Sequence, residues 1–418
     1  MSVGVRLRIG LFLGALLLPL LQSLRPFLPA PIIAGVEEAA PRPPLRWSTW
    51  WSGAFQEAFE RWFAQGFGLR SYLVRTDNQL NLTLFGTVRT GGTPILRGRE
   101  NWLFEKSYVD KYNSAERLGP RALGHTIADL QRLNDLLAAR GIALVTVIAP
   151  SKAEIYPDYL RPEQVVPGRE RRQSIYDQLA PALARSGLDL VDGHRLFREA
   201  RTSRPALLFP RGGTHWNHYG AALAAERILE ALDRRRPGRF VTTEVRDSRV
   251  DESIWTTDAD LAWLLNVWYW RPFVGPQTHP VLARREEGRR PARLLFVGDS
   301  FSLPLMNLMT QERLMDPGDG LFYFQRRLHY PGQISSPLDR KAFDAERELR
   351  GLDAVVLVTN EYWLPQIGFG FAAAVIASLE KAAAESPLPP FLQREELPEA
   401  RPPLLITPPF PPVPLPGN

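Results

Sequence analysis

Two short segments carry the residue types that acyl chemistry needs. In one, the apolar run Leu294–Val297 leads into Gly298, Asp299 and Ser300, and an apolar helical pattern follows from Phe301 to Leu308. A serine on such a strand-to-helix turn projects from the sheet edge, with the next backbone N–H groups and the helix N-terminus facing any oxyanion. This is a nucleophile elbow without the Gly-x-Ser-x-Gly wording; the alternative is a plain helix cap by Asp299 or Ser300. In the other, Gly212, Gly213 and Thr214 form a tight loop from which His215 and Trp216 open a helix. A histidine at that junction can serve as general base for a serine, because its free pKa lies near working pH. His218, three residues on, shares its side. No third His or carboxylate at ligand spacing accompanies the pair, so neither a metal nor any other cofactor is expected. His125, His194, His279 and His329 read as surface or structural residues.

Elements that could hold these residues alternate along the chain. Apolar, β-branched runs lie at Ala143–Ile148, Leu188–Val191, Leu294–Val297 and Ala354–Val358. Helical patterns separate them at Ala122–Arg140, Arg169–Ser186, Tyr219–Arg234, Ala342–Leu349 and Ala372–Ala384. Short buried strands alternating with helices predict an α/β fold, a mostly parallel sheet covered on both faces. Functional groups on such sheets gather beyond the carboxyl ends of the strands. The stretch 236–290 breaks the alternation and reads as an inserted loop-and-helix region. From Pro387 to Asn418 the chain is proline-rich and reads as a tail without a packed core.

The N-terminal part is of another kind. Arg6 and Arg8 precede the apolar run Ile9–Leu21, so residues 1–40 read as a signal peptide or an uncleaved signal anchor. The anchor is preferred, since no clean small-x-small cleavage site stands out, and the flanking cations predict export of the rest of the chain. Residues 41–95 read as a proline-marked linker and a helical lead-in. Its apolar spacing (Trp47, Trp50, Trp51, Phe55, Phe59, Trp62, Phe63) predicts an amphipathic helix that packs on the main domain or docks to a membrane or partner. The 418 residues carry a net charge of +6 and no cysteine, which excludes disulfides and thiolate chemistry. No basic block with interleaved aromatics favours nucleic acid.

The two chemical segments, taken with Gly98 to Phe104, Ile148 to Pro157, Thr257 to Ala262 and Thr359 to Glu361, occur in an order that resembles the alginate O-acetyltransferase family (AlgJ/AlgX-like). The resemblance spans roughly residues 68–380. It implies an SGNH-hydrolase-like three-layer α/β/α catalytic domain over 96–386, circularly permuted so that the histidine precedes the serine. It also implies acetylation of an exported polysaccharide in the periplasm, with acetyl groups supplied by a multi-pass membrane O-acyltransferase. That family carries an aspartate two residues before the histidine; here the position is Gly213. Asp192, after the strand 188–191, is the expected substitute acid, or else a loop cap. Asn360 is expected to donate an amide to the oxyanion or to cap its turn, and the Phe301 N–H to join the oxyanion site. Lys152 is expected to bind an anionic group and Trp216 to stack on a sugar. Thr257 and Asp260 fit a helix capping box.

The expected function is therefore O-acetyl transfer through Ser300 and His215. A carbohydrate O-acetylesterase would use the same site, and a non-catalytic polysaccharide-binding or export scaffold would need none of its chemistry.

Overall fold

A computed structural model describes residues 3–35, 40–90, 92–169, 172–255, 257–330 and 334–385; the proline-rich tail lies outside them. Helix α1 (Val3–Leu24) is followed by α2 (Trp47–Trp51), α3 (Ala54–Gly66) and α4 (Arg70–Phe85). A hairpin of β1 (Ile95–Arg97) and β2 (Leu103–Glu105) then leads into α5 (Lys106–Asn113) and α6 (Pro120–Ala138). Next come β3 (Ala143–Ala149), α7 (Lys152–Ile155), α8 (Ile175–Arg185), β4 (Asp189–Asp192), α9 (Gly193–Ser203) and α10 (His218–Arg235). The remainder is β5 (Thr242–Asp251), α11 (Asp260–Leu264), β6 (Gln277–Arg285), β7 (Leu294–Gly298), α12 (Ser302–Gln311), β8 (Asp319–Phe322), β9 (Arg326–His329), β10 (Ile334–Pro337), α13 (Ala345–Leu349), β11 (Ala354–Asn360) and α14 (Phe371–Glu385).

Seven strands form one sheet in the order β10-β9-β8-β7-β11-β3-β4. Strands β8, β7, β11, β3 and β4 run parallel, and β9 and β10 extend the sheet as antiparallel edges. Side chains alternate between its two faces. Val145, Val147, Phe296, Val356 and Val358 pack with residues of α10 and α12 on one side. Leu144, Ile148, Leu295, Val297, Val355 and Leu357 pack with α6, α8 and α14 on the other. Burial on both faces is why these strands are continuously apolar rather than alternating, and the result is the expected three-layer α/β/α arrangement.

The stretch 236–290 holds more than the loop and helix expected of it. Strands β5 and β6 pair antiparallel over their full length, and α11 lies in the connection between them. Most of β5 is exposed or half-buried, so its sequence, rich in Asp, Arg and Thr, presents no apolar stripe. Helix α1 is long and apolar enough to cross a membrane; its apolar length is left uncovered by the rest of the protein, and Gln22 near its end is buried.

Candidate active site

Ser300 sits between the last residue of β7 and the first turn of α12. The elbow requires Gly298: a Cβ there would lie 2.4 Å from the Val358 carbonyl oxygen on β11. Asp299, fully buried, ties the elbow to the end of β11. Its carboxylate accepts the Phe301 N–H at 2.9 Å and the Asn360 N–H at 2.6 Å. Burial raises the Asp299 pKa to about 6, against the stabilising effect of those two N–H donors and of His215. Asp299 thus closes the turn ahead of α12 without capping the helix, whose N-cap is Phe301 with no side-chain cap, and it leaves the half-buried Ser300 side chain for other use.

His215 reaches the same place from the loop before α10, with its ring 5.0 Å from that of Phe301. The loop is heavily held. Leu103 donates its N–H to the Arg211 carbonyl at 3.0 Å, and Ala262 donates to Gly212 at 2.9 Å. Lys152 is completely buried and donates Nζ to the carbonyls of Pro210 (3.0 Å), Arg211 (3.1 Å) and Gly213. Burial pulls its ammonium down to about 7, with the Asp260 charge opposing. Lys152 therefore supports the histidine loop and does not face an anionic ligand, a correction to its expected role.

The carboxylate on His215 is Asp260. Its Oδ2 lies 2.7 Å from His215 Nδ1, and its Oδ1 accepts the Thr214 N–H at 2.8 Å and its neighbour Leu261's N–H at 2.7 Å. His215 Nε2 has no hydrogen-bond partner among the described residues. The geometry suits a general base: a carboxylate that accepts Nδ1–H leaves Nε2 as the acceptor. Space explains why the acid does not stand at 213. A Cβ on Gly213 would be 2.3 Å from the Thr257 carbonyl oxygen and 2.7 Å from Pro210. The turn that delivers Asp260 crosses directly over that glycine. Asp258 braces the same turn, accepting the Trp255 N–H at 2.8 Å, and burial raises its pKa to about 7.

Asp192, the expected acid, is engaged elsewhere. It caps α9 through Arg195 N–H at 3.1 Å and accepts the Tyr176 hydroxyl at 3.0 Å. It ends edge strand β4, with β3 and β11 between it and β7. At about 4.8 Å per strand, that separation puts it out of reach of the elbow.

Two further expectations change, and for Asn360 the second of the two stated alternatives holds. The Phe301 N–H is taken by Asp299. Asn360 is fully buried; its amide donates to the Ala149 carbonyl at 3.2 Å and its oxygen accepts from Tyr362 N–H at 3.0 Å. It caps its turn and joins β11 to β3. Trp216 is fully buried between Phe197 (5.6 Å) and Phe301 (5.7 Å), so it presents no face to a sugar. His218 turns away from the site and packs on Trp255, with ring centroids 4.5 Å apart.

Sequence reading missed Tyr323. Its phenol oxygen lies near Ser300, whose hydroxyl and backbone N–H favour the charged phenolate and so oppose the rise in its pKa. Tyr323 and Phe324 both adopt left-handed backbone angles, φ 50° and 49°, an uncommon conformation for large residues that clusters at functional sites. Two contacts hold them so: Tyr323 N–H donates to Gly298 O at 2.8 Å, and Phe324 packs edge-on against Phe343 and Phe371. Burial, and next the Asp299 charge, hold the Tyr323 pKa above its ordinary value. It is a donor at neutral pH.

Residues 95–311 match the family described as SGNH hydrolase-like domain, acetyltransferase AlgX. This chain belongs to that family. Its curated relatives include the probable alginate O-acetylase AlgJ of Pseudomonas putida, 26% identical over 208 residues that cover 46% of this chain and 48% of the relative. The same-named protein of Pseudomonas aeruginosa is 28% identical over 204 residues, 47% of this chain and 45% of the relative. The chain thus matches about half the length of these relatives. Among solved structures, the O-acetyltransferase domain of Pseudomonas putida AlgJ aligns with a TM-score of 0.43 at 20% identity, over 70% of this chain and 100% of that one. Pseudomonas aeruginosa AlgX aligns with a TM-score of 0.42 at 16% identity, over 67% of this chain and 66% of that one.

Proposed function

We propose that this chain is an O-acetyltransferase that modifies an exported polysaccharide through an acetyl-Ser300 intermediate. The observation that carries the reading is the carboxylate–imidazole pair: His215 is fixed by Asp260 at 2.7 Å, its Nε2 without a hydrogen-bond partner among the described residues, beside the elbow that bears Ser300. Membership in the AlgX acetyltransferase family and relatives named alginate O-acetylase support the same reaction class.

In the first step Ser300 Oγ attacks the acyl carbonyl of the donor, and His215 Nε2 takes the hydroxyl proton. We assign the negative oxygen that forms to the Ser300 N–H and the Tyr323 hydroxyl, two groups that lie near each other at the elbow and would turn to it as it develops. Collapse breaks the bond to the donor's leaving group, which receives the proton from His215. In the second step a sugar hydroxyl gives its proton to Nε2 and attacks the acetyl-serine carbonyl. The bond between the acetyl carbonyl carbon and Ser300 Oγ breaks, Ser300 regains its proton from His215, and the acetyl ester now rests on the sugar. Asp260 orients the imidazole and stabilises the imidazolium that forms in each step.

A non-catalytic scaffold would need no carboxylate on the histidine, and Asp260 on His215 favours the catalytic reading over it. Helix α1, with Arg6 and Arg8 in its first two turns ahead of the apolar run, supports tethering at the inner membrane with the catalytic domain on the periplasmic side. There a multi-pass membrane O-acyltransferase would supply acetyl groups. The test is Ser300→Ala in the full chain. It is expected to abolish both acetyl-enzyme formation from an activated acetyl ester, read by mass spectrometry, and acetyl transfer to an oligosaccharide. Undiminished transfer by the variant would overturn the proposal.

A further inference from the structure

Helix α3 has an aromatic face that the fold does not cover. None of its 13 residues is buried, although a helix with an apolar stripe ordinarily turns that stripe to a core. The stripe is a continuous ladder of rings. Phe55 lies 5.7 Å from Phe59, Phe59 lies 5.4 Å from Trp62 and 6.2 Å from Phe63, and Phe63 lies 5.9 Å from Phe67. Helix α2 continues it: Trp50 packs on Phe55 at 5.7 Å, and Trp47 and Trp51 are 77% and 80% exposed.

The position of this face says what covers it. The turn after α3 is fastened to the last turn of α1. Gly68 donates its N–H to Ser23 Oγ at 2.8 Å, and a Cβ at Gly68 would lie 2.3 Å from the Pro19 carbonyl oxygen. The ladder therefore begins where the apolar length of α1 ends. Tryptophan is the residue that settles at the headgroup level of a bilayer, and four of the chain's 11 tryptophans fall between 47 and 62. Cations accompany them: Arg42 stands over the Trp62 ring at 5.5 Å, and Arg25, Arg46, Arg61 and Arg70 belong to the same segment. Helix α4 carries this assembly to the catalytic domain. Its Asn78 donates to the Leu265 carbonyl at 2.8 Å, Arg75 donates to Val267 at 3.0 Å, and Gln79 accepts from Tyr269 N–H at 2.9 Å.

We infer that α2 and α3 lie along the membrane surface, with the Phe55–Phe59–Phe63 face sunk among anionic phospholipid headgroups, and that this second contact sets the catalytic domain's orientation on the bilayer. The inference rests on the proposed tethering by α1 and adds to it a plane of contact.

The chain has no cysteine, so single-cysteine variants of the full chain can each carry one environment-sensitive fluorophore. Phe59→Cys, Phe63→Cys, Glu57→Cys and Leu13→Cys would be labelled and reconstituted into phosphatidylcholine–phosphatidylglycerol vesicles containing a lipid with a quencher high on its acyl chain. Labels at 13, 59 and 63 are expected to be quenched, the last two at least about twofold more than the label at 57, as for an interfacial helix with one face in lipid. Quenching at 13 with none at 59 and 63 would overturn the inference and leave the tether standing, and would point to a protein as the cover. No quenching at 13 would overturn the tether and the inference with it. Equal quenching at 57, 59 and 63 would overturn the assigned face. The substituted positions lie outside the core, and hydrolysis of a soluble acetyl ester at wild-type rate confirms that each labelled chain is folded.

Discussion

Replacing Asp260 by asparagine tests the proposed triad most directly. The contact to be lost is the 2.7 Å bond between Asp260 Oδ2 and His215 Nδ1. Asparagine keeps an oxygen where Oδ1 accepts the Thr214 and Leu261 N–H groups, so the loop holds its shape and the change is chemical. An amide N–H facing Nδ1 forces the imidazole proton onto Nε2, the atom that must accept the serine proton. Where the geometry of a serine–histidine–acid site is otherwise preserved, that tautomer error costs roughly four decades in kcat, about 5.5 kcal/mol at 1.36 kcal/mol per decade. The assay is steady-state release of the aryl alcohol from an aryl acetate, with acetyl-Ser300 followed by mass spectrometry. Asp192→Asn serves as the comparison: asparagine is also a good N-cap, so its kcat should stay within about twofold of wild type. Adding Gly213→Asp to Asp260→Ala should restore nothing, because the Thr257 carbonyl oxygen occupies the space a side chain at 213 needs. The assignment is refuted if Asp260→Asn keeps more than about a tenth of wild-type kcat, the more so if Asp192→Asn loses it.

Three other outcomes are expected. Tyr323→Phe removes one donor to the oxyanion and should lower kcat by about 10²-fold with little change in melting temperature, since Tyr323 is only partly buried; an unchanged kcat removes Tyr323 from the mechanism. Lys152→Met deprives the carbonyls of Pro210, Arg211 and Gly213 of their shared donor. At about 1–3 kcal/mol for each buried group left unpaired, partly offset by relief of a buried ammonium, a net loss of roughly 3 kcal/mol should appear in chemical denaturation. Asp299 binds its proton more tightly in the fold, at about 6, than the ordinary 3.8 of the unfolded chain. The native state thus holds more protons between those values, and stability falls as pH rises from about 4 to 6, by about 3 kcal/mol at 1.36 kcal/mol per pH unit. Across that range the wild-type melting temperature should fall relative to that of Asp299→Asn as pH rises; parallel curves would count against it.

What could be read in the sequence was set by burial. The runs 143–148, 188–191, 294–297 and 354–358 were legible because central parallel strands are apolar on both faces. Strands β5 and β6 were not, since a half-exposed ribbon shows no stripe, and β8 to β10 are only four residues each. Ser300 and His215 stood out through glycine-marked turns at the ends of regular elements. Asp260 was hidden by a local explanation, the capping box with Thr257, and by the 45 residues that separate it from His215. Only the crossing of two loops brings them together. Lys152 was placed on the right segment, but whether a lysine points out to a ligand or in to three carbonyls is not a property of spacing. Tyr323 reaches Ser300 through two left-handed residues that no composition announces.

The crossing of the 257–260 turn over Gly213 also bears on how such chains are recognised and recombined. With the base on one loop and its acid on the 236–290 segment, a pattern written as acid-x-histidine would discard this protein as inactive. Equally, the segment between β5 and β6 is not an interchangeable cassette. Grafting it from a relative that keeps its acid at the 213 position would leave the hybrid with no acid, and grafting it into that relative would give the histidine two. Gly213 and Asp260 form one unit of exchange: each accommodates the other, and neither can be moved alone.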